Sequence, residues 1–319
     1  MNLPLDKKYA YPLVGVLALA LAAYLIHRAL SEYDLDEIRN SVRLISTEHL
    51  LAGAAFTAAS YLALTGFDTL AVRYTGGRLP YRKIAFVSFT SLSIGHTLGF
   101  AAFSTGAVRF RMYTAWGLSP GDVGRIILFC GMTVGLGLAT LAGISTLFQP
   151  TIAMETLRLP APVVTAIGVL LLAAIIAYLL AAALIRRREV VIWRFRLPLP
   201  PFKLAIGQVV IGTINFLCVA AVLHQMLLAS TDIDYFSVAA IYVLALTAAL
   251  ISHVPGGLGV IEAVVLSIMP QAEVVGALVA FRVIYFLVPF FIGVTLFGAF
   301  ELWRRVRRGS ASEVREPSG

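Results

Sequence analysis

Apolar residues in this chain come in long unbroken runs, not in the alternating or three-to-four spacing of half-buried strands and helices. Runs long enough for membrane helices of about 20 residues fall near 11–29, 50–71, 126–147, 163–185, 204–228 and 274–300. Two further runs, near 84–104 and 238–269, are interrupted by glycine-rich breaks, each containing a histidine. The first break reads Ser93-Ile94-Gly95-His96-Thr97-Leu98-Gly99 and the second Ser252-His253-Val254-Pro255-Gly256-Gly257-Leu258-Gly259. Non-helical backbone at membrane depth is tolerated only where protein buries it or a polar cavity borders it, because hydrocarbon cannot satisfy N–H and C=O groups. Paired breaks half a chain apart therefore mark a transport pathway. The pattern predicts an all-α, polytopic integral membrane protein. It would have about six spanning helices and two oppositely oriented re-entrant hairpins, arranged as an inverted repeat with halves of roughly 1–160 and 161–308. Ordinary kinked helices are the alternative reading of the same breaks.

Composition excludes a soluble domain: 59% of the 319 residues are hydrophobic and 13% charged, against roughly a quarter charged in soluble proteins. The first run follows Lys7 and Lys8 as in a signal peptide, but Tyr24-Leu25-Ile26-His27 replaces any small-residue cleavage site, so a retained helix is expected. The net charge of +8 is dealt out in the connections between apolar runs. That distribution suits a membrane surface and not nucleic acid. If all eight runs cross, Lys and Arg divide evenly, twelve to a side; if both broken runs return to the side they entered, twenty lie inside and four outside, with Arg282 left in the membrane. The positive-inside rule favours the second arrangement. Residues 34–45 alternate charged and apolar positions and are expected to lie as an amphipathic helix on the outer interface. Residues 1–308 are read as one transmembrane domain and 309–319 as a disordered cytoplasmic tail. Cys130 and Cys218 both fall inside apolar runs, with no spacing that suggests a metal or redox site.

An arginine within a spanning segment is the costliest residue here, about 2.5–3.5 kcal/mol at a helix centre on insertion scales. Arg282 is that residue, and Glu262, the only acid in the second broken run, is its natural partner. The pair could simply hold the hairpin to the last helix, or serve a substrate; both roles are compatible. Glu262 follows the break where a helix would restart, so capping alone would also account for it. Gly256, Gly257 and Gly259 permit conformations other residues resist and let a head group approach bare N–H donors. After the first break, Arg109 and Arg111 beside Gly106 could hold a phosphate through charge-assisted bonds, or merely obey the positive-inside rule. His96 and His253 could relay protons or bond to loop backbone. Asp68 has Arg73 nearby, at a poor helical spacing for an ion pair. Asn215, His224 and Gln225 are polar residues that interhelical hydrogen bonds would explain. No phosphate-binding Gly-x-x-x-x-Gly-Lys loop, His-Glu-x-x-His zinc motif or Gly-x-Ser-x-Gly elbow occurs. Neither enzyme chemistry nor a metal or cofactor is expected.

At His96-Thr97-Leu98-Gly99, at Gly106-Ala107-Val108-Arg109-Phe110-Arg111-Met112-Tyr113, and from His253 through Pro255-Gly256-Gly257-Leu258-Gly259-Val260-Ile261-Glu262-Ala263, the chain resembles the transmembrane region of lysylphosphatidylglycerol synthetases, the multiple peptide resistance factors of bacteria. In those proteins a membrane flippase moves aminoacylated phosphatidylglycerol, a step in antimicrobial peptide resistance, and a cytosolic domain synthesises it. The resemblance runs from Leu50 to about Glu301; past the arginines at 304–308 only a short tail remains, which is similar to standalone inner-membrane members lacking the synthase. It implies a phospholipid translocase of the inner membrane for an anionic or aminoacylated glycerophospholipid such as lysylphosphatidylglycerol. Membrane phospholipids are the expected partners, with a separate lipid synthase and a homodimer as further options, and Arg282, Arg109 and Arg111 are the expected phosphate contacts. Glu262 would engage a cationic head or gate Arg282, and His96, His253, Gly256, Gly257 and Gly259 would shape the site. The rival reading is a non-transporting lipid-binding scaffold or regulator; a small-solute transporter is a third.

Overall fold

The computed structural model describes residues 43, 45–98, 101–185, 189–192, 195–252, 254–270 and 272–313. The first apolar run, most of the 34–45 segment, His253 and residues 314–319 lie outside them. The long apolar runs become helices α1 (Thr47–Tyr74), α4 (Pro120–Phe148), α6 (Ala161–Leu184) and α7 (Phe202–Leu227). Their ends are written in the local sequence. Ser46 caps α1 by accepting from the His49 amide, and Ser119 caps α4 by accepting from Asp122, with Pro120 in the first turn. Short helix α5 (Pro150–Leu157) bridges α4 to α6, and a two-stranded antiparallel ribbon, β1 (Glu189–Ile192) with β2 (Phe195–Pro198), joins α6 to α7. The ribbon is a small irregularity in an otherwise helical fold.

The broken runs become helical pairs. In the first, α2 (Tyr81–Leu98) and α3 (Ala101–Ala115) pack along each other. A Cβ on Gly95 would stand 2.1 Å from Thr105 Cγ2, so the close approach requires glycine there. In the second, α8 (Tyr235–Ser252) and α9 (Val260–Ile268) pack together around a 3₁₀ turn at Pro255–Gly257. Asp234 starts α8 by accepting from the hydroxyl and the amide of Ser237, bonds that hold its carboxyl below the usual range. The last apolar run is one long span in three registers: α10 (Ala272–Arg282), a π turn (Val283–Leu287) and α11 (Val288–Glu313). The helix thus continues into the first residues of the segment expected to be a disordered tail.

Among the described residues six helical segments are long and apolar enough to cross a membrane. Five coincide with runs read from sequence. The sixth is α8, which the sequence pattern places in a re-entrant hairpin; its 18 residues reach about 27 Å, close to the ~30 Å of a hydrocarbon core. By contrast α2, interrupted by serines and threonines, is not among the six.

The interior is built on α7, which packs against α1 on one side and α4 on the other. At the α4–α7 crossing a Cβ on Gly137 would sit 2.3 Å from the Gly212 carbonyl carbon, so the backbones touch directly, as in other small-residue membrane contacts. Beside it the buried Gln208 donates to Thr133 Oγ1 (3.0 Å) and to the Phe129 carbonyl, and accepts from Tyr178 (2.5 Å). Outward, α6 exposes Leu170, Ile176, Leu180 and Leu184, a surface fit for lipid.

A buried ion pair fastens α3 to α1. Arg109 donates from Nε and Nη2 to the two carboxylate oxygens of Asp68 (2.9 and 2.7 Å), and the Tyr113 hydroxyl donates to Oδ1 (2.9 Å). Asp68 is fully buried and Arg109 3% exposed. Asp68 therefore bonds Arg109, 41 residues away, in place of the sequence neighbour Arg73: the rise of α1 separates 68 from 73, whereas α3 lies alongside.

Two substitutions check this packing through the thermal unfolding midpoint in detergent. Gly137→Val forces α4 from α7 and is expected to cost about 1–3 kcal/mol, the usual range for overpacking. Asp68→Asn strands the Arg109 charge and is expected to cost about 3–5 kcal/mol, while Asp68→Leu with Arg109→Met together should recover most of the loss.

Candidate functional site

The two breaks meet. Gly256 and Gly257, at φ 61° and 59°, turn the chain in the left-handed region that side chains resist. A Cβ on Gly256 would lie 2.9 Å from the Thr97 carbonyl oxygen, so the tip of the α2–α3 pair rests on the turn of the α8–α9 pair. Gly259, at φ 74°, then restarts the helix as α9.

Arg282 reaches this turn from the end of α10. Its Nε and Nη2 donate to Glu262 Oε1 and Oε2, the latter at 2.8 Å, in the bidentate geometry that a planar guanidinium favours. Its Nη1 donates to the Gly256 carbonyl (2.6 Å), Nη2 also to the Gly257 carbonyl (2.8 Å), and the guanidinium carbon stands 5.2 Å from the Phe286 ring centroid. Four of the five N–H bonds are thereby spent on one carboxylate and two carbonyls. The arrangement solves two desolvation problems at once, neutralising a charge and pairing carbonyls that the left-handed turn removes from any helix. Glu262 faces Arg282, and no side-chain bond caps α9. The groups turned toward Arg282 are carbonyl acceptors; the Gly257 amide donates to the Val254 carbonyl (2.9 Å).

The other site arginines are paired too, at different depths. Arg109 is sealed in the Asp68 pair described above. Arg111 donates from Nε and Nη2 to the two oxygens of Glu301 on α11 (2.9 and 2.8 Å) and is about a third exposed. The sequence-derived residues thus fall into three separate bidentate pairs. Only Arg282 and Glu262, with side chains 11% and 10% exposed, stand at the meeting of the breaks with Gly256 and Gly257.

His96 lies just behind the contact. Its ring is 6.4 Å from Tyr61 and stacks, also at 6.4 Å, on Tyr285; its buried Nδ1 has no hydrogen-bond partner among the described residues. Tyr285 belongs to the π turn directly after Arg282, a type of helix defect frequent at functional sites. Ser60 Oγ donates to Asn215 Oδ1 (2.7 Å) and lies 3.2 Å from the Tyr285 hydroxyl. Ser60, Tyr61 and Tyr285 had not been singled out from sequence. For Tyr61 a signal is present: Thr57, Tyr61, Thr65 and Asp68 recur at three- to four-residue spacing in an otherwise apolar run, and all are buried on one face of α1. His224 and Gln225 sit elsewhere, bonded to the Ile233 carbonyl and to His49.

The chain is similar to known membrane proteins over most of its length. An uncharacterized protein of Synechocystis sp., slr0712, is 34% identical over 317 residues, covering 96% of this chain and 98% of the relative. The inner membrane protein YbhN of Escherichia coli is 28% identical over 261 residues, covering 80% of this chain and 81% of the relative. Residues 15–293, which include both breaks, Arg282 and all but one of the partners just described, match the family described as lysylphosphatidylglycerol synthase TM region. This multi-pass membrane chain belongs to the lysylphosphatidylglycerol synthase transmembrane-region family.

Proposed function

We propose that the chain is a phospholipid translocase of the bacterial inner membrane, without an enzymatic step of its own. A glycerophospholipid passes its head group between leaflets along the seam where the two broken helical pairs meet, while its acyl chains remain in lipid. The observation that carries this reading is the Arg282–Glu262 pair at the contact of the two breaks, where Thr97 and Gly256 touch. A guanidinium fork matches a phosphate as well as it matches a carboxylate, so a lipid phosphate can take the place of Glu262. Charged groups at membrane depth commonly mark substrate routes. The family's association with lipid handling supports the same direction, as does the inner-membrane relative. On this reading the two pairs are re-entrant hairpins of opposite orientation, and the anionic or aminoacylated heads implied by the family are the first substrates to try.

The scaffold reading draws on the saturation of the guanidinium by protein acceptors, which a purely structural clamp would also show. Reconstitution separates the two. Purified protein in liposomes containing acyl-chain-labelled phospholipids is expected to let an impermeant reductant bleach more than the outer leaflet. The neutral double variant Arg282→Gln with Glu262→Gln should elute as a folded particle yet confine bleaching to one leaflet. Undiminished movement by that variant removes the assignment of Arg282, and single-leaflet bleaching of every lipid by the parent protein favours the scaffold.

A further inference from the structure

A second group of cations stands at the other end of the last span, about 33 Å along the helix from Arg282. That span extends over Val274–Arg304, so residues 300–304 lie where hydrocarbon gives way to head groups. There α11 meets the start of α2 and the end of α3 through a triangle of rings. Phe86 and Trp116 are 6.3 Å apart, Trp116 and Phe300 5.4 Å, and Phe86 and Phe300 6.2 Å. A cation rests on each side of it: Lys83 Nζ is 5.3 Å from the Trp116 centroid, and the Arg304 guanidinium carbon 5.7 Å from that of Phe300. A ring face orients a cation but leaves its charge in place. Lys83 is exposed and has no hydrogen bond or ion pair among the described residues. The carboxylate at this corner is Glu301; both its oxygens accept from Arg111, and Arg304 stands 3.9 Å away. Asp122, at the start of α4, is taken by Ser119 and Arg125. We propose that Lys83 and Arg304, set on the rings of Phe86, Trp116 and Phe300, form a docking site for the head group of an anionic phospholipid that stays in its leaflet as a resident ligand.

The depth and the company of the two cations argue for a lipid. Basic pockets between membrane helices on the cytoplasmic side hold acidic head groups, and the distribution of Lys and Arg places the α1–α2 connection beside Lys83 on that side. Trp303 and Leu302, 48% and 65% exposed, offer apolar surface to the chains directly below such a head group. A soluble anion would meet the same charges and gain nothing from these side chains. A phosphate at Lys83 displaces no protein carboxylate, whereas at Arg282 it must displace Glu262. The docked lipid would join α2 to α11, alongside the Arg111–Glu301 pair that joins α3 to α11. The site goes beyond the translocase reading and does not depend on it.

The test follows the unfolding midpoint of the purified full chain in neutral detergent as phosphatidylglycerol, phosphatidylcholine, glycerol 3-phosphate or polyglutamate is added. Phosphatidylglycerol is expected to raise the midpoint and the other three to leave it in place. Lys83→Gln should need about fivefold more phosphatidylglycerol for the same rise, the weight of one basic residue at an acidic membrane surface. Adding Arg304→Gln should abolish the rise. The charge-matched pair Arg125→Gln with Lys203→Gln, both at exposed positions, should respond as the parent does. A rise that Lys83→Gln leaves unchanged overturns the site, and so does an equal loss in the charge-matched pair, which would mean diffuse surface attraction. An equal rise with phosphatidylcholine, glycerol 3-phosphate or polyglutamate overturns it in favour of any lipid, a free anion or an acidic protein respectively. If a double variant does not fold, Lys83→Gln against Lys203→Gln decides. No lipid has to cross the bilayer in this measurement, so its failure and that of translocation are separable.

Discussion

Desolvated carbonyl groups at a helix break are the constraint around which this molecule is arranged. A glycine-rich turn inside an apolar protein exposes backbone acceptors that neither lipid nor a neighbouring helix can satisfy. Here one guanidinium binds two of them and a carboxylate at once. Arg282 is tolerable because the turn needs a donor, and the turn is tolerable because Arg282 is there. Either alone would be a buried liability; together they allow a break at the centre of the fold, against which the tip of the α2–α3 pair can rest.

The same economy recurs at the periphery of the site. Each of the three arginines singled out from sequence meets one carboxylate in the same two-pronged geometry, and the three pairs are graded in exposure: sealed for Arg109 with Asp68, slight for Arg282 with Glu262, substantial for Arg111 with Glu301. That grading assigns different work to chemically identical pairs. The sealed pair fixes α3 on α1, the outer pair ties α3 to α11, and the intermediate one lies beside the contact between the two breaks. The polar seam behind it, from Ser60 and Asn215 through Tyr285 to His96, continues the line of unusual residues into the packed centre.

Much of this was readable from the chain, and the limits of reading have physical causes. Unbroken apolar length is a sufficient signal for a spanning helix, so five of the six apolar spans were placed by inspection. The pairing of Arg282 with Glu262 followed from cost, since a lone charge in such surroundings must find the nearest opposite one. Asp68 with Arg109 was missed because the partners belong to different helices with no periodicity linking them, and local spacing offered Arg73 as a distraction. The conformation of Gly256 and Gly257 was legible in the sequence, but the use of their carbonyls was not: flexibility suggests bare N–H donors, and the turn also presents two carbonyls to Arg282. Which way a left-handed turn points its dipoles depends on tertiary contact, here with Thr97 and Arg282, and not on composition. Whether α8 crosses or returns is likewise not a property of its own residues, which are apolar enough for either.

The π turn between α10 and α11 carries a further consequence. Val288 donates back to Val283 across five residues instead of four, so the helix beyond it is offset by one residue, about 100° of rotation, from the helix before it. A regular helix of this length would present one continuous stripe to one set of neighbours. The offset gives a single span two independent facings, one aiming Arg282 at the glycine turn, the other laying Gly293 against Ser93 of α2. One rod thereby acts as two differently keyed surfaces, and both broken helical pairs are registered against the same piece of backbone.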